Sequence, residues 1–498
     1  MSKDTILPSF GLKNFLEIPY DTLEEMNLRA AERAEKESPE KLEKEYRDYL
    51  AKEKRLKAVT LCFSDIEGRF HMLDYDKQYF LGAADNLTFD GSSIRGFTAQ
   101  QESDLRLAVD WTSILWLPSD VFGPGKVIMF ASVMNRDKTP YESDFRSRLE
   151  HLAEELKKKK GLTAYLAAEV EGFIVDGINA EQNFSEEKGF ELISTGGYFH
   201  SLPKDKLKMF IDAAAEAQRA MGFRNEKDHP EVAPSQFELC FSYANVVRAC
   251  DRIQLYKLIC RQVAANMGMT ATFLPKPVSG INGSGMHLNM SFAKDSPASA
   301  LSSSKGSGAA MENIFYKKDG EDGLSPFAWD VISRILNHAP ELSLLLNSSV
   351  NAYRRLDPHY EAPNQIKVSS VDRGSMIRIP AGNKKTARIE VRSVAPDANP
   401  YIATFALLKT ALEGEPLVKE EGKRDRTRYL PGNINDAIKL YNASEFLKKT
   451  LGEHTHEKYM QFKQDAADRS PKELGAIVKK SEVIYHHEVT NQMLWNTF

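Results

Sequence analysis

The sequence predicts an α+β protein, and three features point that way. Between residues 58 and 135 the segments AVTLCFSD, RFHMLDY and KVIMFASV read as strands separated by Asp/Gly turns, which makes a small mixed β unit. Farther on, DKLKMFIDAAAEAQRAMG and ANVVRACDRIQLYKLICRQVAANMG are helix-length and amphipathic, and they are interleaved with short strands. The chain after residue 400 reads as largely helical. These features divide the chain into a helical extension over 1–55, a small β domain over 56–140 and a larger domain over 141–498.

Taken in order, residues 21–58 are rich in Glu, Lys, Arg and Ala with Leu and Met at helical spacing, which predicts one or two charged, solvated helices. Within the β unit lies FDGSSI, a turn carrying Asp90 and two hydroxyls. A helix is expected over 143–160, and AYLAAEVEGFIVDG follows as a buried strand. Residues 295–311, DSPASALSSSKGSGAAM, are low-complexity and predict a surface loop.

The totals exclude several classes. At 498 residues, with 42% apolar and 27% charged residues, the chain has the composition of a soluble globular protein. A net charge of −4, with its basic residues dispersed, gives no footprint for nucleic acid. Four cysteines without CxxC spacing read as reduced and buried. The start, MSKDTILPSFGLKNF, lacks the apolar core of a signal peptide, and no apolar run reaches membrane-spanning length, so a cytoplasmic location is expected.

The chemistry concentrates in a few stretches. In PKPVSGINGSGMHLNMS, residues 275–291, a glycine turn allows close backbone approach to a ligand. It feeds a strand whose period of two puts His287, Asn289 and Ser291 on one face. Taken alone this could be an ordinary hairpin. Glu169 and Glu171 lie at i and i+2 in an apolar strand, where two carboxylates are costly unless a positive group lies between them. Glu231 and Glu238 bracket a Pro-Ser turn, and RIEVR puts Arg388, Glu390 and Arg392 on one face. Each glutamate by itself is an ordinary surface residue. Together, five glutamates and His287 would supply two sites for Mg²⁺ or Mn²⁺, while zinc is disfavoured because no cysteine belongs to the set. Arg355, Arg373, Arg378, Arg388 and Arg392, with Lys385, match phosphate and carboxylate oxygens. Metals with arginines on buried strands describe a site for phosphoryl transfer. No GxxxxGK[ST] loop and no HRD/DFG set occurs, which excludes P-loop enzymes and protein kinases.

Nine motifs, FDGSSIRGF, ESDL, EVEGF, GGYF, EVAPSQFEL, PKPVSGINGSGMH, RRLDPHYEAP, RGSMIRIP and RIEVRSVAPDANPY, occur in one order over residues 55–410. In that order they resemble the glutamine synthetase family, in its type I bacterial and archaeal form. The resemblance implies a β-grasp amino-terminal domain, a catalytic domain with a curved antiparallel sheet, and a dodecamer of two hexameric rings with active sites between neighbours. It implies ATP-dependent ligation of ammonia to the γ-carboxylate of glutamate through γ-glutamyl phosphate. Glu171, Glu231 and Glu238 would hold one metal, and Glu169, His287 and Glu390 another. Glu226, Asn289, Ser291 and Lys385 would contact ATP, with Arg373 and Arg378 on its phosphates. Asn282, Gly283, Arg355 and Arg392 would hold glutamate. Asp90 and Ser93 of a neighbouring subunit, with Tyr198 and Glu231, would form the ammonium site. Asp90 would take the proton, and Glu361 would close over the intermediate on a loop.

Departures from the family pattern accompany the resemblance. Asn289 stands where a second histidine is usual, Asp372 where asparagine is common, and Gly172 where an aromatic is usual, which is expected to loosen packing beneath the metals. Neither a tyrosine loop for adenylylation in LVKEEGKRDRTRYLPG nor a feedback arginine at Ala99 is present, so neither control is expected. The alternative reading is a γ-glutamyl ligase for an organic amine. The intact set Asp90, Ser93, Tyr198 and Glu231 favours ammonia over it, and the complete set of metal ligands speaks against a non-catalytic assembly protein.

Overall fold

A computed structural model of the chain describes residues 16–98, 103–185, 188–201, 203–295, 311–360, 362–418 and 427–474. Glu361, Ala99, most of the 295–311 loop and residues 419–426 of the supposed tyrosine loop lie outside the described residues.

The small β unit is a mixed sheet in the strand order Phe70–Asp76, Ala58–Ser64, Lys126–Met134, Asp104–Val109, Leu87–Asp90, with Leu115–Trp116 added at Lys126–Met134. Its central pair, Ala58–Ser64 against Lys126–Met134, is parallel, while the flanking pairs are antiparallel. The parallel pair reads as near-continuous apolar runs because both of its faces are covered.

One of those faces is covered by the amino-terminal helices, Tyr20–Lys36 and Pro39–Lys52. Their charged sequence conceals a buried stripe. Leu23, Leu42, Tyr46 and Leu50 share one apolar cluster with Val59, Leu61, Val127 and Met129 of the sheet. The second helix starts with Ser38 as cap and Pro39 in its first turn, where a missing N–H costs nothing. The solvated pair of helices expected from composition is therefore half of a core. Asn27, fully buried, also joins the two domains. Its Nδ2 donates to the carbonyls of Trp116 at 2.9 Å and Ala220 at 2.8 Å, and its Oδ1 accepts from the Trp116 N–H at 2.9 Å.

The second sheet has ten strands, ordered Gln365–Ser369, Ser375–Arg378, Ile389–Val391, Met286–Asp295, Leu162–Asp176, Gln236–Phe241, Asn225–Pro230, with three short strands off this path. It is mixed rather than wholly antiparallel, because Gln365–Ser369 runs parallel to Ser375–Arg378. The connection between those two strands is only a short turn held by Asp372, whose Oδ1 accepts from the Gly374 N–H at 2.8 Å. Helices Phe145–Glu155, Lys206–Ala220, Val246–Asn266, Pro326–Leu346 and Pro400–Glu413 contribute to the large core packed behind the sheet.

The organising element is the 15-residue strand Leu162–Asp176, which changes partner along its length. Up to Val170 it pairs with Met286–Asp295, and from Glu171 it pairs with Gln236–Phe241. The two glutamates of the EVE motif straddle that junction.

Asn27→Ala leaves three buried backbone groups without partners, so a loss of about 2–4 kcal/mol is expected. Thermal denaturation should show a clearly lowered Tm for the full chain; an unchanged Tm would mean that the extension does not clamp the two domains.

Candidate active site

At this junction an open cleft lies on one face of the large sheet. Glu169 and Glu171 enter it from Leu162–Asp176 by the period-two rule. Glu238 stands opposite Glu171 in the ladder, and His287 stands opposite Glu169. Glu231 enters from the far side of the Pro-Ser turn, which closes through Ser235 at a φ of +61° and a Gln236 N–H to Ala233 carbonyl bond.

His287 Nδ1 lies 3.7 Å from Glu169 and 3.6 Å from Glu390, and one ligand atom from each of the three falls within 4.8 Å of the others. Glu390 is fully buried between two arginines: Arg392 donates to one of its oxygens at 2.6 Å and Arg378 to the other at 2.5 Å. Glu171 accepts from the Gly285 N–H at 2.8 Å and from the Gln236 amide at 3.3 Å. The expected triad Glu171, Glu231, Glu238 lines the same cleft, but the tight cluster that includes Glu238 is made with His229 and Cys240.

The charge balance at the junction is negative. Burial and the neighbouring Glu171 push the Glu231 carboxyl up to about 8. Burial, with Glu169 and Glu171 close by, drives Glu238 well above the ordinary carboxylate range. Burial raises Glu169 too, but His287, Lys227 and the Asn289 amide outweigh it and hold that carboxyl down. A divalent cation would relieve this crowding. The donors, carboxylate oxygens with one imidazole, are those that hard divalent cations take, so the residues fit such ions.

The glycine turn does something other than what its sequence suggests. A Cβ on Gly285 would lie 2.5 Å from both Arg355 Nη2 and His287 Nε2, and one on Gly283 would lie 2.4 Å from the Pro275 carbonyl. The backbone is close because the buried Arg355 passes beneath it, donating to the carbonyls of Val394 at 3.1 Å and Arg392 at 2.8 Å. Gly172 likewise packs tightly rather than loosely. Phe237 and Phe273 fill the space beside it, 2.9 and 3.0 Å from where a Cβ would stand. Asn289 donates to Glu169 at 3.2 Å and accepts from Arg388 Nε at 2.9 Å, tying the two edges of the site together.

The cleft gathers most of the residues expected of it. Tyr198, Asn282, Gly283, Arg355, Arg373, Arg378 and Arg392 line it with Glu169, Glu171, Glu231, Glu238 and His287. Seven of the expected residues that the structure describes stay outside its lining: Asn289 and Glu390, whose bonds are given above, and Glu226, Lys385, Ser291, Asp90 and Ser93. Glu226 is exposed at the register shift between Asn225 and Lys227, while Lys227 and His229 take the cleft face of their strand. Lys385 sits on an exposed turn whose N–H is held by Asn383 Oδ1. Ser291 lies farther along its strand, opposite Tyr165, and Ser93 is on the small domain with Asp90. Asp90 accepts from the Ser92 N–H at 2.9 Å and from the Ser92 and Ser93 hydroxyls at 2.6 Å each, with the Ser92 hydroxyl holding it below the usual carboxylate range. Lys227, His229 and Gln236 were not anticipated from the sequence, although alternation along NEKDHP could have placed the first two on one face of their strand.

The family model described as glutamine synthetase, catalytic domain, matches residues 142–477, and that described as glutamine synthetase, beta-Grasp domain, matches residues 55–136. The chain is 34% identical over 436 residues to glutamine synthetase of Staphylococcus aureus strain MRSA252, covering 83% of this chain and 92% of the relative. It is 34% identical over 453 residues to that of Thermotoga maritima, covering 87% and 97%. The fold matches the cryo-EM structure of Plasmodium falciparum glutamine synthetase with a TM-score of 0.75 at 20% identity, over 88% of this chain and 98% of that one. It matches ligand-free GmaS with a TM-score of 0.72 at 24% identity, over 87% and 98%.

Two outcomes follow from this packing and charge. Gly172→Ala forces a methyl against Phe237 and Phe273 and should cost about 1–3 kcal/mol, read by chemical denaturation; no loss would mean that the aromatics yield freely. Glu231, raised in the folded state from about 4.3 to its higher value, keeps a proton that the unfolded chain releases. That contribution to the stability of metal-free protein is present below pH ~4.3 and is lost as pH rises to about 8. Added Mg²⁺ should therefore raise Tm more at pH 8 than at pH 5; equal shifts would show that the crowded carboxylates do not receive the ion.

Proposed function

This chain belongs to the glutamine synthetase family, and from that premise we propose that it joins ammonia to the γ-carboxylate of L-glutamate at the expense of ATP, giving L-glutamine. The observation that carries the reading is the convergence, at one strand junction, of Glu169, Glu171, Glu238 and His287 with a facing arm of arginines.

In this reading Glu171, Glu231 and Glu238 hold one divalent cation, Mg²⁺ or Mn²⁺, and Glu169, His287 and Glu390 hold a second. Bound there, the ions supply Lewis acidity and offset charge on the phosphoryl oxygens. Arg373 and Arg378, on the cleft wall, orient the phosphates of ATP and offset charge as the γ-phosphoryl passes to glutamate. Asn289 supports the nucleotide side through Arg388. Asn282 and the Gly283 backbone, with Arg392 and Arg355, take the amino and carboxylate groups of glutamate. Arg355 is pre-set by two carbonyls, so little is lost in fixing it on the substrate.

The phosphoryl group forms a bond to a γ-carboxylate oxygen as the bond to ADP breaks. Ammonia then attacks the carbonyl carbon of the γ-carboxyl group, and the phosphate leaves with that oxygen. Asp90, ionised and hydrogen-bonded by two serines, takes the proton from ammonium, with Ser93, Tyr198 and Glu231 completing the site. Asp90 and Ser93 are absent from the lining of their own chain's cleft, which supports a ring assembly in which a neighbouring copy supplies them; the dodecamer of two hexameric rings belongs to this reading. Glu361 would close over the acyl phosphate and keep water out. Among the described residues no helix is long and apolar enough to cross a membrane, and we assign the enzyme to the cytoplasm.

Phosphate release from ATP, Mg²⁺ and glutamate, compared between ammonium and a panel of small amines, tests the acceptor. Ammonium-dependent turnover should fall by about 10²–10⁴-fold in Asp90→Ala, the range of a lost general base. Turnover with an amine alone would make the protein a γ-glutamyl amide ligase instead.

A further inference from the structure

The hairpin of Asn225–Pro230 and Gln236–Phe241 carries a second kind of donor beside Glu238. His229 stands directly opposite Glu238 in the ladder, and Lys227 opposite Cys240. Period two then places Glu238 and Cys240 on the same face of the hairpin as His229. All three are buried, at 7% exposure for His229, 5% for Glu238 and 4% for Cys240. One ligand atom from each lies within 4.8 Å of the other two. His229 Nε2 is 3.7 Å from Glu238 Oε1, and the Cys240 thiol donates to the same oxygen at 2.7 Å.

The imidazole is already oriented for a metal. The Pro230 carbonyl, 3.2 Å from His229 Nδ1, can only accept, so Nδ1 carries the proton and the Nε2 lone pair faces Glu238 and Cys240. An outer hydrogen bond of this kind sets the tautomer of ligating histidines. Tetrahedral zinc, with bonds near 2.1 Å to N and O and near 2.3 Å to S, keeps its ligand atoms about 3.4–3.7 Å apart. The His229–Glu238 spacing meets that as it stands, and the Cys240–Glu238 pair must open by about 1 Å, within reach of a carboxylate rotation. His229 and Glu238 both line the cleft, so a fourth position is open to water. Lys227 opposes a cation here, but its side chain is exposed and lines the open cleft rather than the buried cluster.

We propose that His229, Glu238 and Cys240 form a binding site for a thiophilic divalent cation of the Zn²⁺ class, sharing Glu238 with the carboxylate site above it. Thiolate and imidazole donors select such an ion over Mg²⁺, and the thiol proton leaves to solvent as the sulfur–metal bond forms. Zinc in this site draws Glu238 away from Glu171 and Glu231, so the soft ion excludes the hard one and arrests ligation. Only that arrest rests on the ligase reading; the ligand set stands on its own geometry.

Metal-free full-length protein titrated with Co²⁺, the spectroscopic stand-in for zinc, tests the site. A near-ultraviolet thiolate-to-cobalt charge-transfer band should grow to one equivalent per chain and be bleached by one equivalent of Zn²⁺. It should vanish in Cys240→Ser, persist in Cys62→Ser, and require at least about tenfold more Co²⁺ in His229→Gln. No band in the unmodified protein overturns the proposal whatever the variants do, and so does a band that survives Cys240→Ser. With activity measured separately on the cobalt-free, Mg²⁺-supplied protein, glutamine formation there with no band on cobalt titration retires the zinc site alone, and a band on cobalt titration with no glutamine formation by the cobalt-free protein retires the ligase reading alone.

Discussion

The structure depends on a repulsion. Where the strand Leu162–Asp176 exchanges one partner for another, Glu169, Glu171 and Glu238 are held on neighbouring ladder positions, and Glu231 is turned in beside them. No arrangement of backbone alone makes that favourable. The protein offsets part of the charge with His287, Lys227 and the arginines around Glu390, while burial and the crowding push the Glu231 and Glu238 carboxyls upward. What remains is a demand for external positive charge, in the place where the phosphates of a nucleotide would also need it. A site that destabilises its own ligand-free state in this way gains affinity for cations from the relief of that strain.

The rest of the sheet keeps the crowd rigid. Glu390 is clamped by Arg378 and Arg392, and Arg388 reaches back through Asn289 to Glu169. Beneath the junction, Phe237 and Phe273 occupy the volume that a side chain at position 172 would need. Arg355 is fixed by carbonyls and covered by two glycines whose absent side chains leave room for it. The amino-terminal helices act at longer range: they share the core of the small sheet, and Asn27 ties that sheet to the helix Lys206–Ala220.

Much of this was legible in the sequence because period two is a strict rule. The EVE pair, the MHLNMS strand and the RIEVR strand each put the anticipated side chains on one face, and the cleft collects Glu169, Glu171, His287, Arg388 and Arg392 from them. The same rule, not applied to NEKDHP, would have favoured Lys227 and His229 over Glu226. Other features needed tertiary information. Alternation cannot say that the buried stripe of a highly charged helix meets a particular sheet, as Leu23 and Leu42 do. Nor can composition say that a glycine is required by a neighbouring ring or guanidinium, as at Gly172 and Gly285. The parallel pairing of Gln365–Ser369 with Ser375–Arg378 was also hidden, since a short turn normally signals an antiparallel hairpin.

The central claim is that the crowded carboxylates and facing arginines serve transfer of a phosphoryl group to the γ-carboxylate of glutamate before ammonia attacks. Glutamate labelled with ¹⁸O in its γ-carboxylate, incubated with ATP, Mg²⁺ and ammonium as the only acceptor, tests it directly. The account predicts that one labelled oxygen per turnover appears in the released phosphate, because the leaving phosphate carries off an oxygen of the acyl group. Glutamine formed with unlabelled phosphate would contradict it.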